Sequence, residues 1–217
     1  LEHAVFLGDS GSDLTLASKL IEVYQPDIIW HPSREIEFPN FRRLSLEKDN
    51  QIFLSLNIQK HSPIHPELAV LLSTSGTTGS SKLVRLSYQN IQSNAESIAT
   101  YLNITEKEKA ITTLPLQYSY GLSILHSHLY AGACLVCTNA SLVNREFWNL
   151  FKEQTCTSIA GVPYTYQMLR RLRFESMELP SLQTMTQAGG GLASEQIRFF
   201  DHQITLRRHF ETSEPRH

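Results

Sequence analysis

No stretch of this sequence approaches the ~18 consecutive apolar residues of a membrane helix, so no membrane span is expected. Cysteine is scarce. The three present are too unevenly spaced for a disulfide framework, which fits a reducing, cytoplasmic compartment. Nine prolines and ten glycines fall short of a low-complexity composition. An excess of one charge is missing too: 19 Lys and Arg against 21 Asp and Glu leave a net charge of -2 with interleaved signs. That argues against a face for nucleic acid or an anionic membrane surface and leaves a small molecule as the default partner. What is present, 41% hydrophobic residues over 217 positions, can fill one large core or two small lobes. The chain starts at Leu1 with no charged, apolar and cleavable leader, and reads as an internal piece.

Residues 13–24 place Leu16, Ala17, Leu20, Ile21 and Tyr24 at helical spacing, with Asp13 available as N-cap and Pro26 as the stop. Asp27 to Trp30 reads as a short buried strand, and residues 31–66 are polar, Pro-punctuated and without period. His61 and His65 have the spacing of helix-borne metal ligands, but Pro63 and Pro66 oppose a helix, so no metal site is expected. From Glu67 the pattern sharpens. Strand 68–72, a loop from Ser73 to Lys82 and strand 83–86 precede a helix capped by Ser87, with Ile91, Ala95, Ile98, Ala99 and Leu102 on its apolar face. Strands at 110–114, 133–138, 157–161 and 182–187 then alternate with helices at about 121–131, 145–154 and 164–173, Asn144 capping the second of these. Parallel strands need crossovers, so the expected fold is α/β, a mostly parallel sheet flanked by helices. Cys134 and Cys137 form a CxxC inside an apolar run. A buried strand is the expectation there, with a redox or metal pair as the alternative.

The loop Ser73-Thr-Ser-Gly-Thr-Thr-Gly-Ser-Ser-Lys82 packs seven hydroxyl side chains, two glycines and a lysine into ten residues after a strand. Glycines let the backbone turn its N–H groups inward, hydroxyls donate to phosphate oxygens, and a lysine adds positive charge, so the composition suits a polyphosphate. Plain turns share this composition. A Walker loop requires Gly-Lys-Ser/Thr, whereas Ser81 precedes Lys82 and Leu83 follows it, so that pattern fails.

The stretch Thr74 to Lys82 resembles the phosphate-binding signature of the adenylate-forming superfamily of acyl-CoA synthetases, peptide-synthetase adenylation domains and luciferases. It departs where the family usually ends in Pro-Lys-Gly and this chain has Ser81-Lys82-Leu83. Three further stretches follow in the family's order: Leu114-Pro-Leu-Gln-Tyr-Ser-Tyr-Gly-Leu122, Ala160-Gly-Val-Pro-Tyr164 and Gln187-Ala-Gly-Gly-Gly-Leu192. The resemblance implies a partial N-terminal domain over residues 1–200, with residues 201–217 as an unplaced tail.

The same resemblance implies a ligase that joins a small-molecule carboxylic acid to ATP, releases pyrophosphate, and passes the acyl group from an acyl-adenylate to coenzyme A or a carrier-protein thiol. It puts Thr74, Ser75, Gly76, Thr77, Thr78, Gly79, Ser80 and Lys82 on ATP, with Lys82 and Thr78 catalytic and Mg²⁺ on the phosphates. Gly189, Gly190 and Gly191 would pass their backbone against the adenine and acyl group, or form a plain strand-to-helix turn. Tyr118, Tyr120 and Val162 would border the acyl pocket. The family's next motif, Tyr-Gly-x-Thr-Glu, is not among the 217 residues. The expectation is therefore a fragment without activity by itself, completed by a missing domain partner. A stand-alone ATP- or pyrophosphate-binding module and a remnant without function are the alternatives.

Overall fold

In the first part of the chain, short β-rich runs outnumber helices. A computed structural model describes residues 4–8, 14–32, 37–45, 51–56, 64–73, 83–201 and 205–208. Contacts divide the chain into two units, Leu1–Tyr88 and Gln89–His217. The first holds β1 (Val5–Leu7), α1 (Leu14–Tyr24), β2 (Ile28–His31), β3 (Phe41–Ser45), β4 (Gln51–Ser55), β5 (Leu68–Ser73) and β6 (Leu83–Ser87). One sheet runs β1-β5-β6, parallel then antiparallel, and the other, β2-β4-β3, is antiparallel throughout. Ser73 and Leu83, which bracket the Ser/Thr/Gly loop, are register partners at the end of the β5/β6 pair. The loop's own residues, Thr74 to Lys82, lie outside the described set, as do Asp13 and His61.

Sequence and structure part company at three places in this unit. β2 is not buried: Ile28 and Trp30, which share one face of the strand, are 61% and 59% exposed, while Ile29 and His31 on the other face are half-buried. Residues 31–66, without a legible period, contain the antiparallel pair β3/β4, whose middle residue Phe53 is fully buried against Phe38 at 4.9 Å between ring centroids. On α1, Leu20 is buried as its spacing requires, whereas Tyr24 is exposed.

α2 (Tyr88–Leu102) follows directly after Ser87 and buries Ala95, Ile98, Ala99 and Leu102, the face its spacing predicts. Beyond it come β7 (Lys109–Ile111), α3 (Ser119–Tyr130), β8 (Cys134–Val136), α4 (Arg145–Glu153), β9 (Ser158–Gly161), α5 (Pro163–Arg171), β10 (Thr184–Gln187), α6 (Ser194–Asp201) and β11 (Thr205–Arg208). The five strands form one sheet in the order β11-β10-β9-β7-β8, every pair parallel. The α/β class with a parallel sheet flanked by helices therefore holds. β9 and β10 are buried at every residue, as strands covered on both faces must be. Alternation sorts their side chains. Ile111, Ile159 and Met185 join Phe147, Phe151, Leu169 and Phe200 in the principal core.

The last strand is a finding. Residues 201–217 include β11, which pairs in register with β10 from Thr184↔Thr205 to Gln187↔Arg208, so part of this segment continues the sheet. The apolar run of the CxxC forms the expected strand, but it is not buried: Cys134 in β8 and Cys137 just past its end are both exposed, while Cys156 is buried. Asn144 occupies the N-cap position of α4, but its side chain makes no capping bond.

Candidate active site

The chain leaves β7 through α3 to reach β8 on one side and leaves β9 through α5 to reach β10 on the other. Connections that part in opposite directions open a crevice at the carboxyl ends of β7 and β9, the switch point where open parallel sheets bind ligands. The two segments that leave this crevice are 112–118 and Val162–Pro163.

The first segment folds back on itself. Tyr118 N–H donates to the Pro115 carbonyl at 3.1 Å, and Tyr118 serves as the N-cap of α3 with extended backbone. Gly121 explains how α3 fits there: a Cβ at that position would lie 2.2 Å from the Pro115 oxygen, a clash no side chain could relieve. Thr113 Oγ1 donates to the Ala160 carbonyl and ties the segment to β9.

The second segment is a helix start of standard chemistry. Pro163 opens α5, where its missing N–H costs nothing, and the Thr165 hydroxyl accepts the Val162 N–H at 3.2 Å. Gly161 lets Thr165 come this close, since a Cβ there would sit 2.7 Å from the Thr165 side chain.

A third segment, Ala188–Gly191, leaves β10 beside them. Gly189 has φ +77°, and a Cβ on it would stand 3.2 Å from Tyr118 Oη and 3.3 Å from Val162 Cγ1. Gly190 has φ +143° and lies equally close to the Pro163 ring, at 3.3 Å. Both positions combine a backbone that disfavours L side chains with a tight neighbour that would have to give by a few tenths of an ångström. Gly191 has neither feature, with nothing within 4 Å of its Cβ position. Buried Gln187 supports the turn, its Nε2 donating to the Gly190 carbonyl at 2.7 Å and to the Ala188 carbonyl at 3.1 Å.

The structure therefore brings Tyr118, Val162 and Gly189 together and seats Gly190 on Pro163. Tyr120 lies at the same strand ends, its hydroxyl donating to Thr186 Oγ1 at 3.0 Å. The Thr186 carbonyl also accepts a 2.8 Å bond from Tyr166 Oη, a phenol that burial pushes well above its ordinary range. Tyr166 thus serves as a fixed donor. Thr74, Ser75, Gly76, Thr77, Thr78, Gly79, Ser80 and Lys82 belong to the other unit and lie outside the described residues. Gln187, Thr186 and Gly121 escaped the sequence reading as site-building residues. Gly121 and Gln187 sit inside quoted stretches and Thr186 just before one, but only the folded chain shows what each touches.

These side chains are aromatic, aliphatic or hydroxylic. They can wall a flat or apolar group and offer it backbone amides, while charge must come from elsewhere. Among the described residues no group of three His, Cys, Asp or Glu side chains could hold a metal ion, and no helix is long and apolar enough to cross a membrane.

The sequence aligns with relatives of known activity. Oxalate–CoA ligase of Arabidopsis thaliana is 31% identical over 134 residues, which are 59% of this chain and 26% of that protein. Malformin synthetase of Aspergillus niger is 27% identical over 135 residues, 62% of this chain and 3% of that one. The chain thus spans about a quarter or less of these relatives. Among solved structures, O-succinylbenzoate coenzyme A synthetase from Bacillus subtilis in complex with AMP superposes with a TM-score of 0.56 at 25% identity, covering 66% of this chain and 30% of that one. The model of the AMP-binding enzyme family matches residues 5–208, from β1 to the end of β11. With nearly the whole length matched, and the three motif-bearing segments of the second unit gathered at one sheet edge, the chain belongs to the family of AMP-binding enzymes.

Proposed function

We propose that this chain is part of the large domain of an ATP-dependent, AMP-forming ligase that activates a small carboxylic acid as its acyl-adenylate and hands the acyl group to a thiol, of coenzyme A or a carrier protein. The meeting of Tyr118, Val162 and Gly189 at the carboxyl edge of the parallel sheet carries this reading. A ledge without Cβ atoms at Gly189 and Gly190 suits the approach of a nucleotide or acyl group to the backbone. Such a fit is what ATP requires of these residues. Mg²⁺ would serve here to neutralise the charge of the triphosphate.

In this proposal the acid's carboxylate attacks the α-phosphorus in line, and pyrophosphate leaves. Tyr118, Tyr120 and Val162 border the acid, and the glycine backbone holds the nucleotide beside it. Lys82 and Thr78, with Thr74, Ser75, Gly76, Thr77, Gly79 and Ser80, grip the departing phosphates. Orientation and the offset of growing negative charge supply most of the catalysis. The family's adenine-stacking Tyr and Mg²⁺-binding Glu are not among the 217 residues, and several lost contacts at ~2–4 kcal/mol each imply negligible turnover by these residues alone. Work in the cytoplasm fits three cysteines without a disulfide.

Acid-dependent exchange of labelled pyrophosphate into ATP tests the reading. The natural protein carrying these residues is expected to exchange, and residues 1–217 by themselves to stay at the no-enzyme level. An absence of acid-dependent exchange in the natural protein, across a broad acid panel, would contradict the ligase.

A further inference from the structure

β7, β9 and β10 present unlike faces. One carries Ile111, Ile159 and Met185 into the principal core, while the other carries Ala110, Ser158, Ala160, Thr184 and Thr186. Small and hydroxyl-bearing side chains on that second face leave a cavity of about 30 Å³ beneath α2 and α3. A single water needs roughly 10–15 Å³, so there is room for more than one such group. Tyr120 and Thr186, already paired at the strand ends, line one part of it. Ser158 lies two residues back from Ala160 on the same face, roughly 7 Å further from the carboxyl edge at the rise of a strand.

Two polar atoms in the lining have no partner: His128 Nε2 and Ser158 Oγ, on residues that are each 6% exposed. The tautomer follows from geometry. His128 Nδ1 lies 2.8 Å from the Ile124 carbonyl, which can only accept, so Nδ1 carries the proton and a neutral ring keeps a bare lone pair on Nε2. The Glu108 carboxylate stands 3.9 Å from that lone pair, beyond a good hydrogen bond and, when ionised, an acceptor itself. Nε2 therefore needs a donor from within the cavity. A buried acceptor left bare is disfavoured, and a site built to bond a substrate hydroxyl or amine rejects the analogue lacking it.

Resting on the acid-activating reading of the Tyr118, Tyr120 and Val162 site, we propose that the far end of the activated acid enters this cavity and carries a hydrogen-bond donor, a hydroxyl or an amino group, accepted by His128 Nε2 and met by Ser158. A plain alkyl acid leaves both protein atoms bare. His128 and Ser158 are then specificity-determining residues on α3 and β9.

All lining residues fall in the Gln89–His217 unit, so the test is binding to the 217-residue chain. Acids matched in length with a methyl, hydroxyl or amino terminus are titrated calorimetrically, with the ¹⁵N shift of His128 Nε2 followed in parallel. Hydroxyl- or amino-terminated acids are expected to bind at least about tenfold tighter than the alkyl acid and to move the Nε2 resonance. Ser158→Ala and His128→Leu should each reduce that preference. The hydroxyl and amino arms show which donor the cavity takes. Equal binding of all three termini, or an unmoved Nε2 resonance, overturns the proposal and leaves the ligase reading intact. If no acid binds at all, while the natural protein shows acid-dependent exchange, the cavity holds only water and the proposal falls alone. Absence of both takes the ligase reading with it.

Discussion

Gly189 and Gly191 stand two residues apart in a run of three, and their surroundings assign them different loads. At Gly189 a methyl would combine a left-handed φ with contacts near 3.2 Å to Tyr118 and Val162, whereas at Gly191 it meets nothing within 4 Å. Gly189→Ala is therefore expected to cost about 1–2 kcal/mol in urea unfolding, and Gly191→Ala less than about 0.5 kcal/mol. Equal costs would mean that the turn is not held as described. Protonation offers a second residue-scale test. Burial holds His126 and His128 below the ordinary imidazole value of 6.5, outweighing for His128 the help of the Ile124 carbonyl. The unfolded chain takes up those protons first, so this contribution is present above pH 6.5 and lost as pH falls. Cys156 runs the other way. Burial pushes its thiol from 9.0 to about 11, so its contribution is full below pH 9 and lost as pH rises through about 11. Stability against urea should fall from neutral pH towards about pH 5 and again above about pH 9, and a flat profile on either side would contradict the corresponding burial.

Elements were legible in the sequence in proportion to their periodicity. α2 declares its inward face through Ala95, Ile98, Ala99 and Leu102, and the structure buries all four. β9 and β10 are buried at every residue although Ser158, Thr184, Thr186 and Gln187 make them partly polar, so their place between helices, more than their composition, accounts for the burial. β2 and β8 were misread for the same reason reversed: both are apolar enough to look buried, and nothing local says which residues are left uncovered. β3 and β4 were missed because Arg42, Arg43 and Gln51 interrupt the alternation, and only their pairing around Phe53 organises them. β11 was missed because its partner β10 lies about twenty residues away in sequence. α4 provides an element-scale test. It buries Phe147 and Phe151 completely against Trp148 and the core, so Phe151→Ala should cost about 3–5 kcal/mol in urea unfolding. A cost below about 1 kcal/mol would show that α4 is not anchored through that ring.

For the whole molecule, the sequence order of the motifs foretold the family, but not the geometry that brings the three motifs of the second unit to one sheet edge. Strand order is a long-range property. The switch between β7 and β9 that sets Tyr118 beside Val162 and Gly189 is written in no local pattern. Equally unreadable was the polar end of the cavity, since His128 lies on a helix whose spacing gives no hint of an unpaired nitrogen. The Ser/Thr/Gly loop is the reverse case: its residue types are fully legible, and the strands that bracket it end at the register pair Ser73↔Leu83. The most direct measurement is an ATP titration of this chain and of its Lys82→Ala form by calorimetry. A charge-assisted contact to phosphate predicts a loss of roughly ten- to hundredfold in affinity. Unchanged affinity would remove the loop from nucleotide binding and contradict the account at its centre.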